Sequence, residues 1–237
     1  IPLPENRTPE PIERLEADRP EYAADQPQAT RDGFGQGLVR LARQFPELVV
    51  LDGEVSNSTR SDDFAEQFPE RFFEGYIAEQ NLVGTALGLS RRGKIPVVAT
   101  FAAFLARAFD QIRMAQYSGS NIKYVGSHAG VSIGEDGPSQ MGLEDIALFR
   151  SLLECVVLHP ADAVSTDLLL EAALQHRGQV YLRTMRQKTP VLYEASETFN
   201  IGGSKVLRQS SDDQATVVAA GATVHEALAA HEQLAGE

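Results

Sequence analysis

Six short apolar runs, near residues 48–51, 72–76, 95–100, 122–125, 156–158 and 180–183, lack the strict in–out alternation of a half-exposed strand. Stretches with helical periodicity separate most of them, near residues 79–91, 102–117, 143–152 and 163–176. A capped helix from Thr30, with Phe34, Leu38, Leu41 and Phe45 on one face, precedes the first run. A strand that is apolar on both sides must be covered on both sides, and a strand–helix–strand unit crosses over to a parallel neighbour. The order therefore predicts an α/β fold, a doubly wound, mainly parallel sheet with helices on both faces. Ligands of such sheets collect at the carboxyl ends of the strands.

Residues 30–193 carry this pattern. Before them, residues 1–29 hold Pro2, Pro4, Pro9, Pro11, Pro20 and Pro27 among many acidic side chains and read as an extended linker. After them, residues 194–212 form a polar connector. Residues 213–237 then read as one βα unit, with a strand at 215–220 and a helix at 223–234, the start of an incomplete further domain.

A formal charge of -12 over 237 residues argues against general affinity for nucleic acid or an anionic membrane. A small anionic substrate would need a local cluster of Arg or His. Cys155 is the only cysteine, so no internal disulfide forms and a reducing compartment, the cytoplasm, is expected. The apolar stretch 95–109 is too short to cross a bilayer, and the N-terminus lacks a basic start and an apolar secretory core.

Three loops at predicted strand ends carry the chemistry. Residues 126–142 surround His128, Asp136 and Gln140 with five glycines, which allow a backbone to fold tightly against a ligand or simply to turn at the surface. Ser58 follows the first strand, and Arg183 and Arg186 follow the last. Arg31 opens the first helix, whose exposed N–H groups favour an anion. Together Arg31, Ser58, His128 and Arg186 suit a phosphate; singly, each arginine also reads as a solvated charge. Phe101 and Phe104 share a side with Leu105 and Ala108, a surface suited to core packing or to a flat cofactor ring. The glycines of GFGQG at 33–37 follow no strand and have the wrong spacing for a dinucleotide loop. His159, His176, His225 and His231 lack metal-site spacing, and neither a serine nucleophile elbow nor a Walker loop is present.

Glu79 is the anomaly. With Leu82, Val83 and Ala86 at three, four and seven residues beyond it, the glutamate begins an apolar stripe. A helix N-terminus favours the anion by only about 0.3–1 kcal/mol, whereas removal from water opposes it more strongly. A dry site would make Glu79 a neutral acid, or an anion sharing a proton with a bound base. The alternative is that it faces water or pairs with an arginine.

The segments YIAEQN, TFAAFLARAFDQIRMA and GSHAGVSIGEDGPSQM resemble the pyrimidine-binding domain of transketolase, and most of the chain from about Arg31 to Arg186 follows that pattern. Gln140, where the yeast and common bacterial branch carries a histidine, places the resemblance in the animal-type branch. The resemblance implies thiamine diphosphate as cofactor, with Glu79 hydrogen-bonded to N1′ of its aminopyrimidine and promoting the tautomer that takes the proton from C2 of the thiazolium. A two-carbon ketol unit then passes from a ketose phosphate to an aldose phosphate. Phe104 would pack on the pyrimidine with Phe101 beside it, and Gln140 would reach the cofactor. Arg31, Ser58, His128 and Arg186 would hold the sugar phosphate, and Asp136 would meet a substrate hydroxyl.

The family binds the diphosphate and its Mg2+ or other divalent cation through a separate domain bearing GDG and paired asparagines, and neither occurs here. The resemblance therefore implies a chain inactive by itself, needing a diphosphate-binding domain or subunit, with a homodimer as the complete assembly. Deoxyxylulose-phosphate synthase and the beta subunit of a 2-oxo acid dehydrogenase share the cofactor, but the GEDGPSQ loop and the arginines favour transketolase. A non-catalytic interaction module with the same fold is the reading from another class.

Overall fold

A computed structural model of the chain describes residue 18 and residues 21–235. Strands β1 (Gln28–Ala29), β2 (Leu48–Asp52), β3 (Phe72–Glu74), β4 (Ile95–Phe101), β5 (Lys123–Ser127), β6 (Val156–Leu158), β7 (Val180–Arg183) and β8 (Lys188–Thr189) alternate with helices α1 (Thr30–Leu41), α2 (Ser56–Thr59), α3 (Asp62–Gln67), α4 (Glu79–Arg91), α5 (Ala102–Leu105), α6 (Phe109–Tyr117), α7 (Asp145–Arg150), α8 (Ala163–Gln175) and α9 (Thr223–Leu234). Six strands form one sheet in the order β3-β2-β4-β5-β7-β6, and every neighbouring pair is parallel.

The four inner strands, β2, β4, β5 and β7, are buried on both faces, as their composition requires, while the edge strands β3 and β6 are only partly covered. Leu48 and Val50 of β2 join a cluster containing Phe34, Leu38 and Leu41 of α1 and Leu170, Ala173 and Leu174 of α8, while Val49 and Leu51 join a second one with Leu82, Val83 and Ala86 of α4, Ile112 of α6 and Phe149 of α7. Gly33 permits the close approach of α1 to α8: a Cβ there would lie 2.4 Å from the carbonyl oxygen of Ala163. That packing, and not a dinucleotide, accounts for the first glycine of GFGQG.

Several expectations need correction. The helix at 102–117 is interrupted by a tight turn at Ala106–Ala108, and that at 143–152 shortens to α7. Thr30 is not the cap of α1; Ala29 holds that position, Asp32 accepts from its N–H, and the Thr30 hydroxyl instead accepts from Met185 N at 2.7 Å. No strand forms at 215–220, where Val217 and Val218 are exposed and no described strand pairs with the segment. The linker expected at 1–29 falls largely outside the described residues, and its last two residues pair antiparallel with β8. Among the described residues, no helix is long and apolar enough to cross a membrane.

Candidate active site at the carboxyl ends of the strands

The chain leaves β2 for β3 on one side and returns to β4 on the other, so the strand order reverses between β2 and β4. Loops diverge there and leave a crevice. Glu79, the first residue of α4, follows β3 at that end of the sheet and is 5% exposed. The turn that delivers it is tightly constrained. Gly75 donates to Asp52 O at 2.8 Å and has no room for a side chain, since a Cβ would lie 2.0 Å from Leu82 Cδ1. Tyr76 follows at φ 52, Glu54 at the end of the neighbouring strand has φ 64, and both N–H groups donate to Glu74 Oε1. Left-handed backbone at a bulky residue is strained and persists where the surroundings enforce it.

Glu79 is buried, but it is neither unpaired nor facing bulk water. Arg107 Nη1 donates to its Oε1 at 2.5 Å, from a side chain that is 51% exposed. The same guanidinium lies 4.3 Å over the Phe104 ring. Phe104 stacks on Phe101 at 5.1 Å and 17°, and Phe101 stacks on the His128 imidazole at 4.0 Å and 15°. Phe101 and Phe104 are thus not simply core: they form the middle of a continuous row running from the buried carboxylate to the glycine-rich loop. Arg107 was missed in the sequence, where an arginine on a helical stretch reads as a surface charge; its three-residue offset from Phe104 was the available signal.

His128 is buried at φ 56 beyond β5, its Nδ1 3.0 Å from Ser127 Oγ and its Nε2 3.9 Å from Asp136 Oδ2. Asp136 accepts from Arg186 Nη1 at 3.0 Å, and Arg186 Nη2 donates to Glu135 at 2.7 Å. Arg31 Nη1 donates to the Ser58 carbonyl at 3.0 Å, while its buried Nε has no protein partner. Burial lowers the Arg31 pKa, and the neighbouring Arg60 and Arg186 add to the effect against the pull of Asp32. A desolvated guanidinium with an unmet donor beside a second arginine is an arrangement that an anion stabilises. The structure therefore brings Arg31, Ser58, His128, Asp136 and Arg186 together. Gln140 is on the same loop, but its amide oxygen accepts from the Ser139 hydroxyl and no bond joins it to Glu79 or Phe101 among the described residues.

Arg183 belongs to the scaffold. It forms a buried pair with Asp145 at 2.7 Å, donates to Gly142 O at 3.1 Å and lies 3.2 Å from His159 Nε2. Gly130 N also donates to Gly142 O, at 2.8 Å, so the loop 128–142 is closed at its neck like an Ω-loop.

Burial, reinforced by nearby arginines, pushes both His128 and His159 down to about 4. Asp52, buried at the end of β2, is pushed up to about 6 by loss of solvent, despite hydrogen bonds from Val55 N, Thr59 and Ser61. The signs are opposite. Each histidine binds a proton more readily unfolded, near its ordinary 6.5, so its contribution to stability is complete above that pH and is lost toward pH 4. Asp52 binds its proton more readily folded, so it adds stability as pH falls through about 6. From pH 7 to 5 each histidine costs about 1–2 kcal/mol and Asp52 offsets about 1 kcal/mol. Urea midpoints are expected to fall over that range, and to fall less in His159→Asn.

With this geometry in view, comparison with known proteins assigns the family. Residues 26–191 match the family model "Transketolase, pyrimidine binding domain". The chain is 54% identical to transketolase-like protein 2 of Mus musculus over 207 residues, 87% of this chain and 33% of that protein. It is 49% identical to transketolase of Homo sapiens over 219 residues, 92% of this chain and 35% of that protein. The chain thus spans about a third of the length of these relatives. Among solved structures, a split gene transketolase described as an inactive beta4 tetramer superposes with a TM-score of 0.80 at 42% identity, over 89% of this chain and 69% of that one. Transketolase from Leishmania mexicana superposes with a TM-score of 0.65 at 25% identity, over 73% of this chain and 27% of that one. The doubly wound sheet, the row of rings at its switch point and these matches together make the chain a member of the transketolase pyrimidine-binding domain family.

Proposed function

We propose that this chain supplies the pyrimidine-binding half of a transketolase active site, in an enzyme that moves a two-carbon ketol unit from a ketose phosphate to an aldose phosphate. The observation that carries the reading is the unbroken row Glu79–Arg107–Phe104–Phe101–His128, ending at the Arg31 and Arg186 cluster. The site fits the aminopyrimidine of thiamine diphosphate on its own evidence: a flat, nitrogen-bearing group, the Arg107 guanidinium, already lies over Phe104 and donates to Glu79. When bound, the cofactor supplies the C2 position that takes up the ketol fragment.

The chain's own residues then have distinct tasks. Glu79 holds or moves a proton at N1′, and its shielding from water strengthens that contact. Phe104 and Phe101 seat the ring, with Gln140 reaching the cofactor after a rotation away from Ser139. Arg31, the Ser58 loop, His128 and Arg186 hold the sugar phosphate, and Asp136 turns from Arg186 to a substrate hydroxyl. A neutral His128 donates or accepts a hydrogen bond without adding charge. The diphosphate and its Mg2+ or other divalent cation belong, in this reading, to a diphosphate-binding domain or subunit, with a homodimer as the complete assembly and the cytoplasm as its place. Exposed Tyr76, Ile77 and Val131 beside the crevice suit such a facing surface. Residues 30–193 are the pyrimidine-binding unit, with α9 opening a further domain after the 194–212 connector.

The 237-residue chain alone, given thiamine diphosphate and Mg2+, is expected to show no ketol transfer. The neighbour described as an inactive beta4 tetramer supports that expectation. Turnover by the chain alone would refute this division of labour. In the assembled enzyme, decarboxylation of pyruvate in place of ketol transfer would favour the deoxyxylulose-phosphate synthase or dehydrogenase reading.

A further inference from the structure

We infer that Arg107 is a positioning residue of the cofactor site that competes with the aminopyrimidine for its seat, so that its displacement is a step in binding and helps set the affinity. The inference rests on the reading of the crevice as a pyrimidine site. That reading gives the base two contacts, a ring face on Phe104 and a hydrogen bond to Glu79. Arg107 makes both already, lying 4.3 Å over the Phe104 ring and donating to Glu79 Oε1.

The arrangement is suited to exchange. Arg107 is half exposed whereas Glu79 is almost fully buried, so the guanidinium can swing into water while the carboxylate stays in place. Its backbone is anchored independently, because Gln80 Nε2 donates to the Arg107 carbonyl at 3.2 Å, so truncating the side chain leaves that tie intact. Holding the seat has a use: a buried carboxylate with no partner is costly, and Arg107 compensates it until a base takes over. The Arg107 end of the ion pair is half in solvent, which screens the pair, and its cation–π contact is weak, so the competition modulates affinity without blocking the site.

Titration of the full 237-residue chain with thiamine, which carries the aminopyrimidine but no diphosphate, tests this by NMR of the Arg107 Nε–Hε and Phe104 ring signals. In wild type, thiamine is expected to move the Arg107 signal toward that of a free guanidinium. Arg107→Ala is expected to bind thiamine about three- to tenfold more tightly. Glu79→Gln is expected to loosen Arg107 and to weaken thiamine binding. Thiamine that shifts Phe104 in both proteins but binds Arg107→Ala no better, or worse, overturns the inference while leaving the pyrimidine site standing. Thiamine that perturbs Phe104 in neither protein overturns both.

Discussion

Glu79→Gln in the assembled enzyme is expected to lower turnover by about 10²- to 10⁴-fold, the usual contribution of a positioned acid–base group, with little change in thermal stability. Glutamine keeps the shape and an acceptor oxygen, so Phe104 and Phe101 stay stacked even as the bond from Arg107 weakens. In the proposed mechanism, what it cannot do is take or give a proton at N1′. The stability effect is small because the partner is half exposed, and ion pairs of that kind contribute about 0–1 kcal/mol. Two readouts separate chemistry from folding: kcat of the assembled variant and its unfolding midpoint. Turnover at the wild-type level would remove Glu79 from the mechanism, whereas a large fall in the midpoint would make it a residue of the fold.

The parts of this site that were legible in the sequence are those tied to periodicity. A carboxylate at the head of an apolar stripe marked Glu79, and the α4 boundaries were read as the structure has them because stripe, start and stop agreed. Strand ends located the loops of Ser58, His128 and Arg186, since in a doubly wound sheet all such loops open on one rim, and the start of the first helix added Arg31, while the role of Asp136 came only from the resemblance. Side-chain direction was not legible. Arg107 and Arg183 both sit where an arginine is usually solvated, yet one folds back over an aromatic ring and the other is sealed against Asp145. Periodicity assigns a face but not a rotamer, and an ion pair 38 residues apart leaves no local trace. The absent strand at 215–220 failed for the complementary reason: its composition favours extended backbone, but a strand is stabilised by neighbours that no local pattern supplies.

The Arg183–Asp145 pair leads to the second large expectation. Asp145 is buried, accepts from Arg183 Nε at 2.7 Å and from the Tyr181 hydroxyl at 2.6 Å, and sits beneath the neck of the loop that carries His128 and Asp136. Removing one member leaves the other charged and desolvated, which costs about 3–5 kcal/mol. In a chain of this size that is roughly 6–20 °C in Tm. Arg183→Ala and Asp145→Ala are each expected to show it, Asp145→Ala also leaving the Tyr181 hydroxyl without its acceptor. The double variant Asp145→Leu with Arg183→Met removes both charges and is expected to recover a good part of the loss, which a cycle with the single variants Asp145→Leu and Arg183→Met in urea measures. The functional consequence is separate. Arg183 Nη2 is one of two donors on Gly142 O, the atom that closes the loop, so the apolar double variant is expected to keep the sheet while loosening the loop. Backbone amide exchange at residues 129–142 that speeds up over wild type while that of the sheet does not would show it. Equal protection in wild type and double variant would mean that the Gly130–Gly142 bond alone holds the neck, and that the buried pair serves stability only.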